Sequence, residues 1–311
     1  MTFKSVDTSA PEPEALTSGF PAQANLATPL IDNRAWPVPD QERRNTCAAF
    51  CASAMAELTD FHATGANTVV NYSEEFLYSA ISRVPYREAV QDVSRKDIKR
   101  FQSQGVRFLA QAKIALQAGA LVPDDAMAYD PDLAIHKVKD IPPAVQEIAA
   151  LQMRPTATNK KVRKVNDELF VGQGRPWAAS KDSDVEHVDV VPEFVKLLAE
   201  NKAIAAGFPL LSGGNYDIWF DDDVVKTGRI RYPSATKLAD MPIEGGHSVC
   251  IVGYDTENAE PGGGVFIFRN SFADRFGWRP KKFSDAPALP KGYGYISFYD
   301  VDVFCMEFLH L

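Results

Sequence analysis

A cysteine at the start of a long apolar run is the feature that most constrains the fold. The residues from Cys47 to Ala56 are almost all apolar and half of them are alanine, a composition that favours a helix. A thiol at a helix N-terminus faces unpaired backbone N–H groups and the positive end of the helix dipole, and both favour the thiolate. We therefore predict that Cys47 is a nucleophile mounted at the start of a helix.

A nucleophile of this kind needs a base and a group that orients the base, and the second half of the chain offers both. His247 follows two glycines and precedes the β-branched run Ser-Val-Cys-Ile-Val-Gly-Tyr254, which predicts a strand. Asn270 follows the apolar segment Gly264–Arg269, which also has the pattern of a buried strand. His247 is thus the candidate base, and Asn270 is the candidate for orienting it.

Each of these residues also has a simpler interpretation. A single Cys in an apolar helix is usually a small buried hydrophobe, a His beside glycines is usually a turn or core residue, and an Asn after a strand is usually a turn former. Their combination is more informative, because Cys, His and Asn occur in the chain order of one known catalytic set.

On these motifs, the sequence resembles the papain-like cysteine peptidases. Gln41 and Cys47 have the spacing of the family's nucleophile segment, with Ala-Phe following in the matching places. The segment that begins at His247 matches the family's His-Ala-Val-x-x-Val-Gly-Tyr pattern. Asn270-Ser-Phe, followed by a Gly-Tyr pair at Gly292, matches the family's third segment, Asn-Ser-Trp.

The resemblance implies a fold and a reaction. It implies an α+β, two-lobed papain-like fold, with a helical N-terminal lobe, an antiparallel β-barrel-like C-terminal lobe and the active-site cleft between them. It also implies that Cys47 attacks a peptide carbonyl to form a thioester, while His247 acts as general acid and base. Asn270 would orient the imidazole, and Gln41 would contribute to the oxyanion hole.

The chain departs from the family pattern in three places. Ala48 replaces the tryptophan that normally follows the nucleophile, and Phe272 replaces the tryptophan that shields the Asn–His hydrogen bond. Arg44 stands three residues before the nucleophile, where the family usually has a disulfide cysteine. Substrate preference therefore cannot be copied from the secreted members of the family.

Four residues are the candidates for substrate binding. By the resemblance, Gly105 would belong to one wall of the cleft, and the small residues next to the histidine would form another wall with an aromatic side chain nearby. The candidate substrate-binding residues are Gly105, Gly246, Ser248 and Phe272.

The expected organisation is an N-terminal arm followed by one catalytic domain. Residues 1–32 contain four prolines and suggest an extended arm, and residues 33–311 form the papain-like domain. Within it we expect a helical lobe over about 41–153, an insertion over about 154–191 and a β-rich lobe over about 192–311. Helices are predicted at 73–83, 104–118 and 142–152, and strands at 203–208, 248–254, 264–269 and 293–298.

Composition limits the other possibilities. The 311 residues are 45% hydrophobic and carry a net charge of −8, which argues against nucleic-acid binding. No segment resembles a signal peptide or a membrane span, so we expect a cytoplasmic protein, although specialised export would leave no readable mark. The four cysteines form no disulfide framework, and a zinc site of Cys47, Cys51 and a histidine would lack the second matching pair of ligands. We expect no metal or cofactor.

Three functions remain open from the sequence. The favoured one is a cysteine peptidase that acts on a protein or peptide substrate, which could be one dedicated protein target. A second is another thiol acyl-transfer enzyme, such as a transglutaminase, deamidase or amide ligase, in which a group other than water resolves the acyl-enzyme. The third is a catalytically silent binding protein with the same fold, which would have an unreactive Cys47.

Overall fold

The computed structural model of the chain describes residues 20–31, 36–89, 95–119, 121–151, 157–161, 190–213, 216–232, 243–257, 260–278 and 289–311. The helices in these ranges are α1 (Thr28–Ile31), α2 (Cys47–Thr64), α3 (Glu74–Arg83), α4 (Tyr86–Ala89), α5 (Arg95–Gln104), α6 (Leu109–Gln117), α7 (Pro143–Ala150), α8 (Val190–Ala199), α9 (Asp222–Thr227) and α10 (Phe298–Phe304). The strands are β1 (Gln23–Asn25), β2 (Thr158–Lys161), β3 (Ile204–Gly213), β4 (Tyr216–Asp217), β5 (Arg229–Ile230), β6 (Ile243–Asp255), β7 (Val265–Arg269), β8 (Tyr293–Ser297) and β9 (Glu307–His310).

Helix α2 is the central helix of the first half of the chain. Every residue from Ala48 to Leu58 is buried, because the helix packs against α3 on one side and against β3 and β6 on the other. The many alanines allow this close approach from several directions. The helix ends at Gly65, whose φ of 61° lies in the left-handed region that glycine adopts without strain.

The strands form one mixed sheet in which antiparallel pairs predominate. Its main order is β2-β9-β3-β6-β7-β8-β5, with β1 paired to β6 and β4 paired to β3. The pair of β5 and β8 is parallel, whereas the other described pairs are antiparallel. Among the described strands the sheet is open, running from β2 at one edge to β5 at the other. The long strand β6 lies in its middle and contacts α2 directly.

The segment before residue 33 is more structured than the predicted extended arm. Strand β1 pairs with the end of β6 from Gln23 opposite Asp255 to Asn25 opposite Gly253. Leu26 and Leu30 are then buried in the main core, so apolar contacts hold this segment on the domain. Residues 1–19 of the predicted arm lie outside the described residues.

Two further segments differ in detail from the sequence expectations. The helix predicted over 104–118 is divided, because Gly105 adopts a φ of 71° after α5 ends, and α6 begins only at Leu109. Most of the predicted insertion over 154–191 lies outside the described residues. Its part at 157–161 contains β2, which pairs with β9 at the sheet edge.

Candidate functional site

Cys47 is the first residue of α2, as the sequence predicted. The Thr46 carbonyl accepts the N–H groups of Ala49, at 2.9 Å, and Phe50, at 3.1 Å, and so closes the first turn. The Cys47 side chain is partly exposed, whereas the other three cysteines are buried. Hydrogen-bonding groups of Ser248 lie within reach of the thiol, so the helix start meets β6 beside His247.

His247 and Asn270 are joined directly by a hydrogen bond. His247 lies on β6, and Asn270 follows the neighbouring antiparallel strand β7. The distance between His247 Nε2 and Asn270 Oδ1 is 2.9 Å. The same oxygen accepts the backbone N–H of Ser271 at 2.8 Å, which fixes the orientation of the carboxamide. Because Oδ1 is an acceptor, Nε2 carries a proton, and Nδ1 is the basic nitrogen of the neutral ring.

Two aromatic rings enclose the His247 imidazole. Phe272 stacks on it, with ring centroids 5.0 Å apart and planes 15° apart, and Trp219 packs edge-on at 4.8 Å. His247 and Asn270 are each 3% exposed, so little water reaches their hydrogen bond. The contact between Trp219 and His247 could not be predicted from the sequence, because no motif relates the positions of the two residues.

Burial opposes an isolated charge on either reactive group. Although Cys47 is partly exposed, the surrounding protein displaces water from its sulfur and raises the pKa of the thiol above its ordinary value, whereas groups of Ser248 and Ala48 lower it in part. Burial also lowers the pKa of the His247 imidazole to about 4, against the opposite effect of its hydrogen bond to Asn270. We had expected the helix start to favour the thiolate, but the effect of burial on the Cys47 pKa is larger and opposite. An isolated thiolate or an isolated imidazolium is therefore unfavourable at this place.

Gln41 is fixed shortly before the start of α2 by hydrogen bonds of both its side chain and its backbone. Its carboxamide Nε2 donates to the Arg44 carbonyl at 2.8 Å, and its Oε1 accepts the Ser271 hydroxyl at 2.6 Å. Its backbone N–H donates to the Ser271 carbonyl at 2.9 Å, and its own carbonyl accepts the Tyr129 hydroxyl at 2.8 Å. An amide nitrogen carries two hydrogens, so one remains available to a ligand.

The four candidate substrate-binding residues do not lie in equivalent environments. Gly246 is exposed, Phe272 is half-buried, and Ser248 is buried next to Cys47. Gly105 is buried, and a Cβ atom built on it would overlap the Ile135 carbonyl oxygen. This placement argues against Gly105 as part of an open substrate-binding wall, because the chain around Ile135 covers it.

The remaining cysteines are free and buried, as is expected of apolar core residues. Burial raises the pKa of the Cys51 thiol well above its usual range and that of Cys250 to about 12, so neither thiol ionises near neutral pH. Within the described ranges, no group of three His, Cys, Asp or Glu side chains is placed to hold a metal ion. In those same ranges, no helix is both long and apolar enough to cross a membrane.

The chain has the papain-like α+β fold, in which helices pack on a largely antiparallel sheet. Cys47 lies at the start of the central helix, and the His247–Asn270 pair lies on β6 and directly after β7. The chain is similar to xylellain, a cysteine protease from Xylella fastidiosa, with a TM-score of 0.62 and 14% identity over 96% of this chain and 88% of xylellain. It is also similar to the proform of Amb a 11, a cysteine protease and major ragweed pollen allergen, with a TM-score of 0.52 and 16% identity over 99% of this chain and 70% of that one. No protein-family model and no curated protein sequence matches the chain.

Proposed function

We propose that this protein is a cysteine peptidase that uses Cys47 as its nucleophile. The observation that carries the proposal is the hydrogen bond between His247 and Asn270, placed on β6 and after β7 where the start of α2 brings in the Cys47 thiol. The two solved structures of similar fold are described as cysteine proteases, which supports the same class of reaction.

The first half of the proposed reaction forms a thioester. The proton on Cys47 Sγ passes to Nδ1 of His247 as the sulfur attacks the carbonyl carbon of a peptide bond, and the carbonyl oxygen becomes an oxyanion. The imidazolium then gives this proton to the leaving amine as the C–N bond breaks. Proton transfer by a positioned side chain contributes about 10²–10⁴-fold to the rate of such reactions.

The second half hydrolyses the thioester. His247 takes a proton from a water molecule, which attacks the thioester carbonyl, and returns a proton to the sulfur when the C–S bond breaks. Asn270 holds the imidazole in the tautomer that both halves require, since its Oδ1 accepts only from a protonated Nε2. These steps need only the side chains named here and water, with no metal or cofactor.

The oxyanion would be stabilised by the Gln41 carboxamide and the backbone N–H of Cys47. The Gln41 amide is held by two hydrogen bonds and retains one further hydrogen, which fits the role of a donor fixed before the charge develops. Removing one such donor from a comparable site costs about 3 kcal/mol of transition-state stabilisation.

The substrate we propose is a protein or peptide in an extended conformation. Phe272 flanks the imidazole that protonates the leaving amine, so it would contact the part of the substrate that follows the cleaved bond. Gly246 and Ser248 flank the histidine along β6 and would contact the substrate near the thiol. These residues would bind the substrate in the same way whether it is one dedicated protein target or any of a broad range of peptides.

Mass-spectrometric profiling of a diverse peptide library under reducing conditions tests the proposal. The wild-type protein, Cys47→Ala and Cys305→Ala are compared; Cys305 is a buried cysteine outside the site that forms no disulfide, and it serves as the matched control. We expect cleavage by the wild type and by Cys305→Ala, and none by Cys47→Ala. Cleavage by Cys47→Ala at the wild-type rate would contradict the proposal.

A wild-type protein that is rapidly alkylated at Cys47 but cleaves no peptide would point elsewhere. The library is then incubated with added primary amines and examined for amide exchange or for a mass change of one unit at glutamine. Amide transfer or deamidation would identify another thiol acyl-transfer enzyme. An inert Cys47 would support a binding protein, because the thiol would then be no more reactive than an ordinary buried cysteine.

A further inference from the structure

Arg44 is a fully buried arginine in the loop that leads to Cys47. Its guanidinium forms a two-pronged ion pair with Glu75 in the first turn of α3, with Nη1 2.5 Å from Oε2 and Nη2 3.1 Å from Oε1. Both side chains have no exposed surface. This geometry is the strongest form of the arginine–carboxylate interaction and fixes the position of both partners.

Two further hydrogen bonds from the terminal nitrogens of the guanidinium connect the loop to a second segment. Nη1 donates to the Asp130 carbonyl at 2.8 Å and Nη2 to the Lys137 carbonyl at 3.2 Å. The guanidinium carbon also lies 5.3 Å from the ring centre of Tyr78 and 4.9 Å from that of Tyr129. One side chain thus anchors the loop to α3 and to the segment that contains residues 130–137.

The backbone of the same arginine holds Gln41. The Arg44 carbonyl accepts the Gln41 Nε2 hydrogen at 2.8 Å, and the Arg44 N–H donates to the Gln41 carbonyl at 3.2 Å. Between them, Glu42 adopts a φ of 51°, a conformation that a residue with a side chain rarely takes and that surrounding contacts must maintain. The position of the Gln41 amide therefore depends on where Arg44 is fixed.

We propose that Arg44 is a positioning residue for the oxyanion hole, acting through its ion pair with Glu75. The buried pair sets the turn over 41–44, and the turn sets the direction of the Gln41 amide. This inference rests on the proposed peptidase function. It gives the loop a non-covalent anchor at the place where the resembling family usually has a disulfide cysteine, and all four cysteines of this chain are free. Reducing agents therefore leave the anchor intact.

The principal test removes both charges together, because loss of one partner alone would leave the other charge buried and unpaired. The double variant Arg44→Met/Glu75→Met is compared with the wild type, with Gln41→Ala, and with Arg229→Met/Glu260→Met, a pair in the second half of the chain that serves as the matched control. The readouts are kcat and KM for a peptide that the wild type cleaves, and the rate at which iodoacetamide alkylates Cys47.

We expect the double variant to lose about 10²-fold in kcat, like Gln41→Ala, with a small change in KM. Alkylation should continue at the wild-type rate, since attack on iodoacetamide develops no oxyanion. Adding Gln41→Ala to the double variant should cause no further loss, because both changes remove the same interaction. An unchanged kcat, an additive further loss, or a parallel fall in alkylation would each overturn the inference.

A second variant and a second readout keep the test decisive. If the double variant does not fold, Arg44→Lys is used; it keeps the charge but cannot form the fork, and we expect a fall in kcat with unchanged alkylation. If the wild type cleaves no peptide, the proposed function fails, and hydrogen exchange of the amides at 41–47 decides on the anchor alone. Faster exchange than in the wild type and the control pair would support it, and unchanged exchange would overturn it.

Discussion

The Asn270 carboxamide oxygen lies 2.9 Å from Nε2 of His247. Both residues are only 3% exposed, so the hydrogen bond between them is shielded from water. The oxygen also accepts the Ser271 N–H, so the carboxamide cannot turn over without losing a buried hydrogen bond. This acceptor keeps the proton on Nε2 and leaves Nδ1 as the basic nitrogen of the imidazole. Its removal is therefore the most direct test of the arrangement.

Replacement of Asn270 by Ala should lower kcat/KM by about 10²-fold, because the imidazole loses its preferred tautomer and direction. The measurement is steady-state cleavage of a fluorogenic peptide at several pH values. Asn201→Gly is a suitable control, since Asn201 is exposed and already has a φ of 60°, which glycine adopts readily. Wild-type activity in Asn270→Ala would show that Asn270 does not orient the base.

Phe272 should protect the same hydrogen bond from water. Its ring stacks on the imidazole with centroids 5.0 Å apart, so Phe272→Ala would open one face of His247 to solvent. We expect a fall in kcat/KM of about tenfold, comparable to weakening one charged hydrogen bond by about 1.4 kcal/mol. Phe272→Trp keeps an aromatic face and should retain most of the activity. Equal activities for the alanine and tryptophan variants would contradict a shielding role.

The imidazole should titrate far below its ordinary range when the thiol is absent. In Cys47→Ala no thiolate can stabilise the imidazolium, and burial then holds the pKa of His247 at about 4 rather than near 6.5. Histidine ring signals followed by NMR between pH 3.5 and 8 measure this value directly. A value near 6.5 in Cys47→Ala would mean that solvent reaches the ring and that the site is open to water.

Gln41 and Ser271 should differ in the size of their effects. Gln41→Ala removes the amide itself, and we expect a loss of about 10²–10³-fold in kcat with an unchanged alkylation rate. Ser271→Ala removes only the hydroxyl that donates to Gln41 Oε1 at 2.6 Å, so the loss should be about tenfold. A larger loss in Ser271→Ala than in Gln41→Ala would show that the amide is not the main donor.

Local patterns were sufficient to predict the elements that carry the site. The apolar run after Cys47 could only be buried as a helix, and the β-branched residues after His247 form strand β6 as expected. Strand β7 likewise ends at Arg269, directly before Asn270, as the sequence predicted. These predictions succeeded because each depends on residues within one element and on their periodicity.

The contacts between distant segments could not be predicted in this way. Trp219 packs on His247 from a turn 28 positions earlier in the chain, and Glu75 meets Arg44 through the packing of α3 beside the loop. The sequence indicated only that Arg44 departs from the family pattern. Gly105 was predicted to belong to the cleft wall, but the segment around Ile135 covers it. Tertiary packing, which one sequence does not display, decides such contacts.

A buried carboxyl group at the start of α3 should make stability depend on pH. Burial and, to a smaller extent, the nearby carboxyl of Glu57 together raise the pKa of Glu74 to about 8. Glu74 is 6% exposed, and Glu57 accepts hydrogen bonds from Trp36 at 2.7 Å and from the Tyr72 N–H at 2.9 Å. The folded protein therefore keeps Glu74 protonated where the unfolded chain, with a pKa near 4.5, has already ionised it.

The direction of this pH dependence follows from which state, folded or unfolded, binds the Glu74 proton more tightly. Since the pKa of Glu74 is higher in the folded state, its contribution to stability is complete below pH 4.5 and is lost as the pH rises towards 8 and above. The loss amounts to about 5 kcal/mol for a shift of this size. Glu74→Gln cannot ionise, so its free energy of unfolding should fall less than that of the wild type between pH 5 and pH 9. Urea unfolding at the two pH values measures both changes, and Glu147→Gln on the surface of α7 serves as the control. Equal changes in Glu74→Gln and the wild type would show that Glu74 is ionised throughout and is neutralised by a neighbouring positive charge.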